Sequence, residues 1–171
     1  MHALKLLAAL AAAVLFHLLG MHLVPAFASL VDVFLVIVVL YALEGSSLAA
    51  LFAGLVVGLL HDTLTSGPYG LFGFADTIVG YTTARLAQRL VIQRSTGVLA
   101  LVSFAAVAQQ AIVAGLAFLL LPTPELPNPV WVAVRAGISG ILGMAIHIAT
   151  INWRRAAEAR RRGRMSRLRL G

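Results

Sequence analysis

Residues 97–121 read GVLALVSFAAVAQQAIVAGLAFLLL, an unbroken run without a single charged residue. A helix needs about 20 mostly apolar residues to cross the hydrocarbon core of a bilayer. The run also lacks the alternation of polar and apolar residues that is typical of membrane barrel strands. Because hydrocarbon offers the backbone no water, we interpret this run as a transmembrane helix that satisfies its own hydrogen bonds.

The composition of the whole chain supports the same interpretation. The 171 residues are 61% hydrophobic and 11% charged, with a mean hydropathy of +0.98. A soluble domain carries about a quarter charged residues, and a fold of this size could not hide so much apolar surface from water. The chain has no cysteine, which excludes disulfides and thiolate chemistry. We therefore predict an all-α integral membrane protein.

Hydropathy predicts five further spans, four before the run at 97–121 and one after it. They cover about residues 4–23, 30–43, 47–60, 69–90 and 130–152. Glycine, proline and serine residues separate the spans, most clearly in the proline-rich segment 122–129. We predict one six-helix transmembrane domain over residues 1–153, followed by a basic tail over residues 154–171.

Basic residues set the expected orientation, because cytoplasmic loops of membrane proteins are enriched in Lys and Arg. Arg85, Arg89 and Arg94 lie between the fourth and fifth spans, and eight of the 13 Lys and Arg residues lie between Arg154 and Arg169. Six spans put these regions on one side, so we predict a multi-pass membrane protein with both termini cytoplasmic. As an alternative, residues 1–28 resemble a cleaved signal peptide, which would leave five spans.

The basic tail is the main source of the sequence pI of about 11.3. In a membrane protein we expect it to bind anionic lipid, at about 1 kcal/mol for each cation near the surface, and not nucleic acid. An acidic cytoplasmic partner is the alternative.

Ionisable side chains inside membrane spans are costly and usually face the bundle interior, so each is a candidate functional residue. The predicted topology places five of them in the outward half: Asp32, His61, Asp62, Asp76 and Arg135. We expect a polar cluster or a pocket that opens outward, in which Arg135 is the cation available to pair with the carboxylates. Caps of helix ends at the membrane interface are the alternative, above all for Asp32 and His61.

Patterns that would indicate an enzyme are missing from the sequence. The histidines form no HExxH pair, the serines no nucleophile elbow, and the glycines no phosphate-binding loop followed by a lysine. We expect no catalytic residue, no metal site and no cofactor.

Small residues recur at a spacing that lets helices pack closely in lipid. They are Gly54 and Gly58 on the third span, Gly73 and Gly80 on the fourth, and Ala8 and Ala12 on the first. We expect the glycines to pack inside the bundle. Since the first span is otherwise mostly apolar and has no distinctive motif, Ala8 and Ala12 are candidates for contact with an external partner.

The stretch Gly54-Leu-Val-Val-Gly58-Leu-Leu-His61-Asp62-Thr-Leu-Thr-Ser66-Gly67-Pro68-Tyr-Gly70-Leu, continuing to Val79-Gly80-Tyr81, resembles the signature of the bacterial rod shape-determining protein MreD family. That family shows a glycine-rich span ending in Asp, then Ser-Gly and Pro-x-Gly, then a span with Gly-Tyr near its end. Pro25 followed by Asp32 is similar to the entrance of its second span.

The resemblance implies a non-enzymatic scaffold of the cell-elongation machinery. Such a protein binds MreC, a single-span protein with a periplasmic coiled coil, and so helps connect MreB filaments to RodA and its class B penicillin-binding protein. The resemblance also implies a fold similar to the substrate-binding components of energy-coupling-factor vitamin transporters. Such a transporter component is therefore the alternative function. It should enclose an outward pocket under a long loop, whereas a scaffold should expose an apolar groove that fits a partner helix.

Overall fold

The computed structural model describes residues 2–24, 26–65, 67–89, 95–124 and 127–168, and every regular element in these ranges is a helix. Pro25, Ser66, Arg94 and Arg169 lie outside the described residues. The helices are α1 (His2–Leu23), α2 (Phe27–Leu30), α3 (Val33–Glu44), α4 (Ser47–Thr63), α5 (Leu71–Arg89), α6 (Ser95–Leu120) and α7 (Pro129–Leu168).

Four stretches are long and apolar enough to cross a membrane: 6–23, 27–44, 95–120 and 129–160. They correspond to the predicted first, second, fifth and sixth spans. The helix α4 is apolar but shorter, with 17 residues, and α5 is less apolar because it contains Asp76, Arg85 and Arg89. The all-helical fold is therefore confirmed and is compatible with a membrane bundle, while membrane crossing by each helix stays a prediction.

The second span is predicted as a single helix over 30–43, but the structure has two helices there. It consists of the one-turn helix α2 and the longer helix α3, separated by Val31 and Asp32. The break occurs because Val31 is extended and the Asp32 side chain caps α3 by accepting a hydrogen bond from the Leu35 amide at 2.9 Å. This cap places the Asp32 carboxylate inside the bundle.

The central helix is α3, which packs against α1, α4, α5, α6 and α7. Its residues from Val33 to Val36, together with Val38 and Val39, are buried. This uniform burial explains why α3 is apolar all round instead of amphipathic. The helix α1 lies at the edge, where it packs on α2 and α3 through Leu10 and Ala13.

The helices α4 and α5 form a close antiparallel pair, because glycines remove the side chains between them. A Cβ atom at Gly54 would overlap the carbonyl of Asp76, and one at Gly58 the carbonyl of Phe72. A Cβ atom at Gly80 would lie 2.6 Å from the carbonyl oxygen of Ala50. The backbones of the two helices are thus in direct contact along the pair.

The helix α7 continues through the predicted domain boundary at residues 153 and 154 without a break and ends at Leu168. Just past this boundary, Arg154 donates two hydrogen bonds to the Glu44 carboxylate, at 2.6 and 2.8 Å. The start of the basic tail is therefore fixed to the end of α3.

Candidate functional site: a buried polar network beside an open groove

The ion pair between Asp32 and Arg135 joins the start of α3 to the first turns of α7. The guanidinium of Arg135 donates to Asp32 Oδ2 at 2.6 Å, and the Asp32 side chain is fully buried. The backbone amide of Asp32 donates to Ser139 Oγ at 3.0 Å, one turn further along α7. Asp32 is therefore both a helix cap and half of a buried ion pair.

His61 lies beside this ion pair in a group of aromatic rings. Its Nδ1 is 4.0 Å from Asp32 Oδ1, and its ring lies between Phe34, at a centroid distance of 4.8 Å, and Phe72, at 4.0 Å. The ring of His17 on α1 is 6.4 Å away. His61 thus links the ion pair to α1, α4 and α5.

Asp62 organises the loop that leads from α4 into α5. Its carboxylate accepts hydrogen bonds from the amides of Gly70, Phe72 and Gly73, at distances of 3.0, 3.0 and 2.9 Å. The first amides of a helix have no partner within the helix, and their partial positive charge favours an anion. Gly70 has a φ of 97°, a backbone conformation that favours glycine. Asp62 is therefore a cap for α5, supplied from the end of α4.

Asp76 forms a separate polar contact deeper in α5. The amide nitrogen of Gln109 on α6 donates to Asp76 Oδ1 at 2.7 Å, and both residues are fully buried. Of the three aspartates, only Asp32 makes an ion pair with Arg135 within the described residues. The five predicted polar residues thus form one connected group, Asp32, His61 and Arg135, and two local contacts.

We call these five side chains and their partners the polar network, and their contacts join α3, α4, α5, α6 and α7. Asp32, His61, Asp62 and Asp76 are each at most 3% exposed. In the ranges that the structure describes, no three His, Asp or Glu side chains are placed to hold a metal ion. Some of these polar atoms pair with one another or with backbone amides, which lowers the cost of burying them. His61 Nδ1, Asp76 Oδ2 and Arg135 Nε are buried without a hydrogen-bond partner among the described residues.

A wide groove runs between α1 and α4 and is open to the surroundings of the bundle. Its volume is about 830 Å³, and its walls include Leu7, Val14, Leu18, Val56, Leu59 and Tyr69. The walls are almost entirely apolar. Tyr69, which is 68% exposed, stands at the end of the groove next to the loop that Asp62 organises.

The two helices that form the groove meet at the polar network. His17 is on α1 and His61 on α4, and both rings pack against Phe34. Asp62, the neighbour of His61, holds the loop that carries Tyr69. The network therefore fixes one end of the groove.

The remaining predicted interface residues have different positions. Gly54, Gly58, Gly73 and Gly80 are buried in the bundle, whereas Gly67 and Pro68 are exposed in the loop after α4. Ala8 and Ala12 are exposed on α1 beside the groove but do not line it. The groove itself is lined by the larger residues of α1.

Sequence reasoning missed Gln109, Ser139, Phe34 and Phe72 as members of the network. The pair Gln109-Gln110 inside an apolar run was a signal for a buried polar contact, because an amide in hydrocarbon needs a partner. Ser139 and the two phenylalanines carry no comparable signal, since such residues are ordinary in membrane helices.

Comparison with known proteins gives a family match over most of the chain. A family model described as rod shape-determining protein MreD matches residues 2–152. No curated protein and no solved structure matches the chain.

Proposed function

The chain belongs to the rod shape-determining protein MreD family, and on this basis we propose that it is a non-enzymatic scaffold of the cell-elongation machinery in the bacterial inner membrane. In this role it binds a single-span protein of the MreC type. Through that partner it helps couple MreB filaments to RodA and its class B penicillin-binding protein. Membership in a shape-determining family supports this role and gives no support to the alternative of a vitamin transporter component.

The groove between α1 and α4 is the observation that carries the proposal. A helix with a diameter of about 10 Å and a pitch of 5.4 Å takes up roughly 420 Å³ per turn. The groove volume of about 830 Å³ is therefore large enough to admit part of one helix. In lipid, helices associate by close packing and not by water exclusion, so a preformed apolar groove favours a single apolar partner helix.

The polar network suits a scaffold because it fixes the shape of this groove. Buried ion pairs and hydrogen bonds in a membrane are costly to break, since no water is present to replace them. The contacts among Asp32, His61 and Arg135 connect α3, α4 and α7 at the groove end marked by Tyr69. We infer that the partner meets a rigid surface there.

The proposed orientation has both termini in the cytoplasm. Arg85 and Arg89 at the end of α5, and Arg154 after the apolar part of α7, then lie on the cytoplasmic side, in accordance with the positive-inside rule. The network and Tyr69 lie at the opposite, periplasmic end, where a coiled-coil partner would emerge. The basic tail that follows Arg154 binds anionic lipid in this arrangement.

Affinity purification of the tagged chain from native membranes in mild detergent tests the function. We expect mass spectrometry of the purified complex to identify a single-span protein with a periplasmic coiled coil. Recovery of an ATPase pair with a membrane coupling subunit instead would contradict the scaffold.

A further inference from the structure

A second, smaller cavity lies on the other side of α1, between α1, α3 and α7. Its volume is about 240 Å³. Its inner wall is apolar and consists mainly of Leu6, Ala9, Ile37, Leu40 and Ile146. These residues belong to the end of the bundle where α1 begins and α3 ends, which is the cytoplasmic end in the proposed orientation.

The mouth of this cavity is polar. Tyr41, His147 and Thr150 lie there, and the ion pair between Glu44 and Arg154 closes one side. Both charged side chains are more than half exposed, so the guanidinium is accessible from the membrane surface. The cavity thus changes from apolar inside the membrane to hydrogen-bonding and charged at its surface.

The size of the cavity decides what kind of molecule fits. One turn of a helix needs roughly 420 Å³, which is more than the cavity holds. At about 30 Å³ for a group the size of water, the cavity takes roughly eight such groups. This matches part of one extended hydrocarbon chain. An apolar interior disfavours water as the occupant.

We infer that this cavity binds a phospholipid of the adjacent leaflet, with one acyl chain between α1, α3 and α7 and an anionic headgroup at Arg154. The lining itself carries one cation and one anion, Arg154 and Glu44, which are paired. The exposed Arg155 and the basic residues that follow it in the sequence add the positive charge that favours the anionic class. Glu44 competes with the lipid phosphate for Arg154. The inference is independent of the partner in the α1–α4 groove.

The test is native mass spectrometry of the full-length purified chain, titrated separately with phosphatidylglycerol and with phosphatidylcholine. We expect one phosphatidylglycerol to be retained in preference to phosphatidylcholine. Ala9→Phe should abolish this retention by filling the cavity. Ala8→Phe is the matched control, because Ala8 is the exposed neighbour and does not line the cavity.

Charge variants test the headgroup. Arg154→Gln should weaken phosphatidylglycerol binding about fivefold, the order of effect of one basic residue near an anionic surface, and Glu44→Gln should strengthen it. Arg160→Gln removes the same charge from the exposed tail and should have a smaller effect. Equal retention of both lipids, or equal effects of Ala9→Phe and Ala8→Phe, would overturn the inference. If the Ala9→Phe variant loses a co-purifying protein but retains the lipid, the inference is also overturned.

Discussion

At the scale of single residues, the polar groups of this membrane protein divide into a buried ion pair, a helix cap and an amide contact. Asp32 and Arg135 form an ion pair across 103 positions of sequence, while Asp62 accepts hydrogen bonds from three amides that α5 cannot satisfy itself. Each group is held by a different physical effect, so the variants below should differ in how they can be rescued.

Loss of the Asp32 carboxylate should leave a buried cation without its partner. We expect Asp32→Ala to lower the free energy of unfolding by about 3 kcal/mol or more, because the Arg135 side chain is only 13% exposed. Adding Arg135→Met should recover part of the loss by removing the unpaired charge. Thermal unfolding in detergent measures both variants, and a double variant less stable than Asp32→Ala would contradict the ion pair.

Asp62→Ala should loosen the start of α5 and the loop before it. Loss of a cap costs about 1–2 kcal/mol, and here three amides lose their acceptor. Hydrogen exchange should increase at residues 67–73. Thr63→Ala, at the exposed neighbour whose hydroxyl bonds only the Leu60 carbonyl, serves as the control and should leave that exchange unchanged.

At the scale of helices, the pairing of α4 with α5 depends on glycines. The position of α1 depends on few contacts with other helices. The GxxxG pattern of Gly54 and Gly58 predicted close packing, and both glycines face the backbone of α5. The sequence could not indicate that the groove beside α4 would be lined by larger residues of α1, because lipid-facing and partner-facing leucines have the same composition.

Gly54→Ala should force α4 away from α5. The added methyl group would overlap the Asp76 carbonyl, and overpacking of this kind costs about 1–3 kcal/mol. Gly115→Ala on α6 is the matched control, because a Cβ atom there meets nothing within 4 Å. Equal decreases in the unfolding temperature of the two variants would contradict the claim that Gly54 allows α4 to pack closely on α5.

At the scale of the whole molecule, the sequence predicted a helical membrane protein of the MreD family, and both are confirmed. The long apolar runs predict a membrane protein, because a helix needs about 20 mostly apolar residues to cross the bilayer. The sequence singled out the five polar residues Asp32, His61, Asp62, Asp76 and Arg135 but not their pairing. Arg135 could reach any of three aspartates, and only the packing of α3 on α7 brings it to Asp32.

The predicted orientation can be measured directly because the chain has no cysteine of its own. Single cysteines at Arg89 and Arg160 should react with a membrane-impermeant thiol reagent only from the cytoplasmic side. Cysteines at Ser29 and Thr123 should react only from the periplasmic side. Labelling of all four positions from one side would contradict six spans with both termini cytoplasmic.

The central claim is that a partner helix lies in the groove between α1 and α4, and site-specific photo-crosslinking in native membranes tests it most directly. A photoreactive residue at Leu59 or Leu15 in the groove should crosslink to one single-span protein with a periplasmic coiled coil. The same residue at Leu119, exposed on α6, should crosslink only to lipid. Capture of that partner from Leu119, with none from Leu59 or Leu15, would contradict the account.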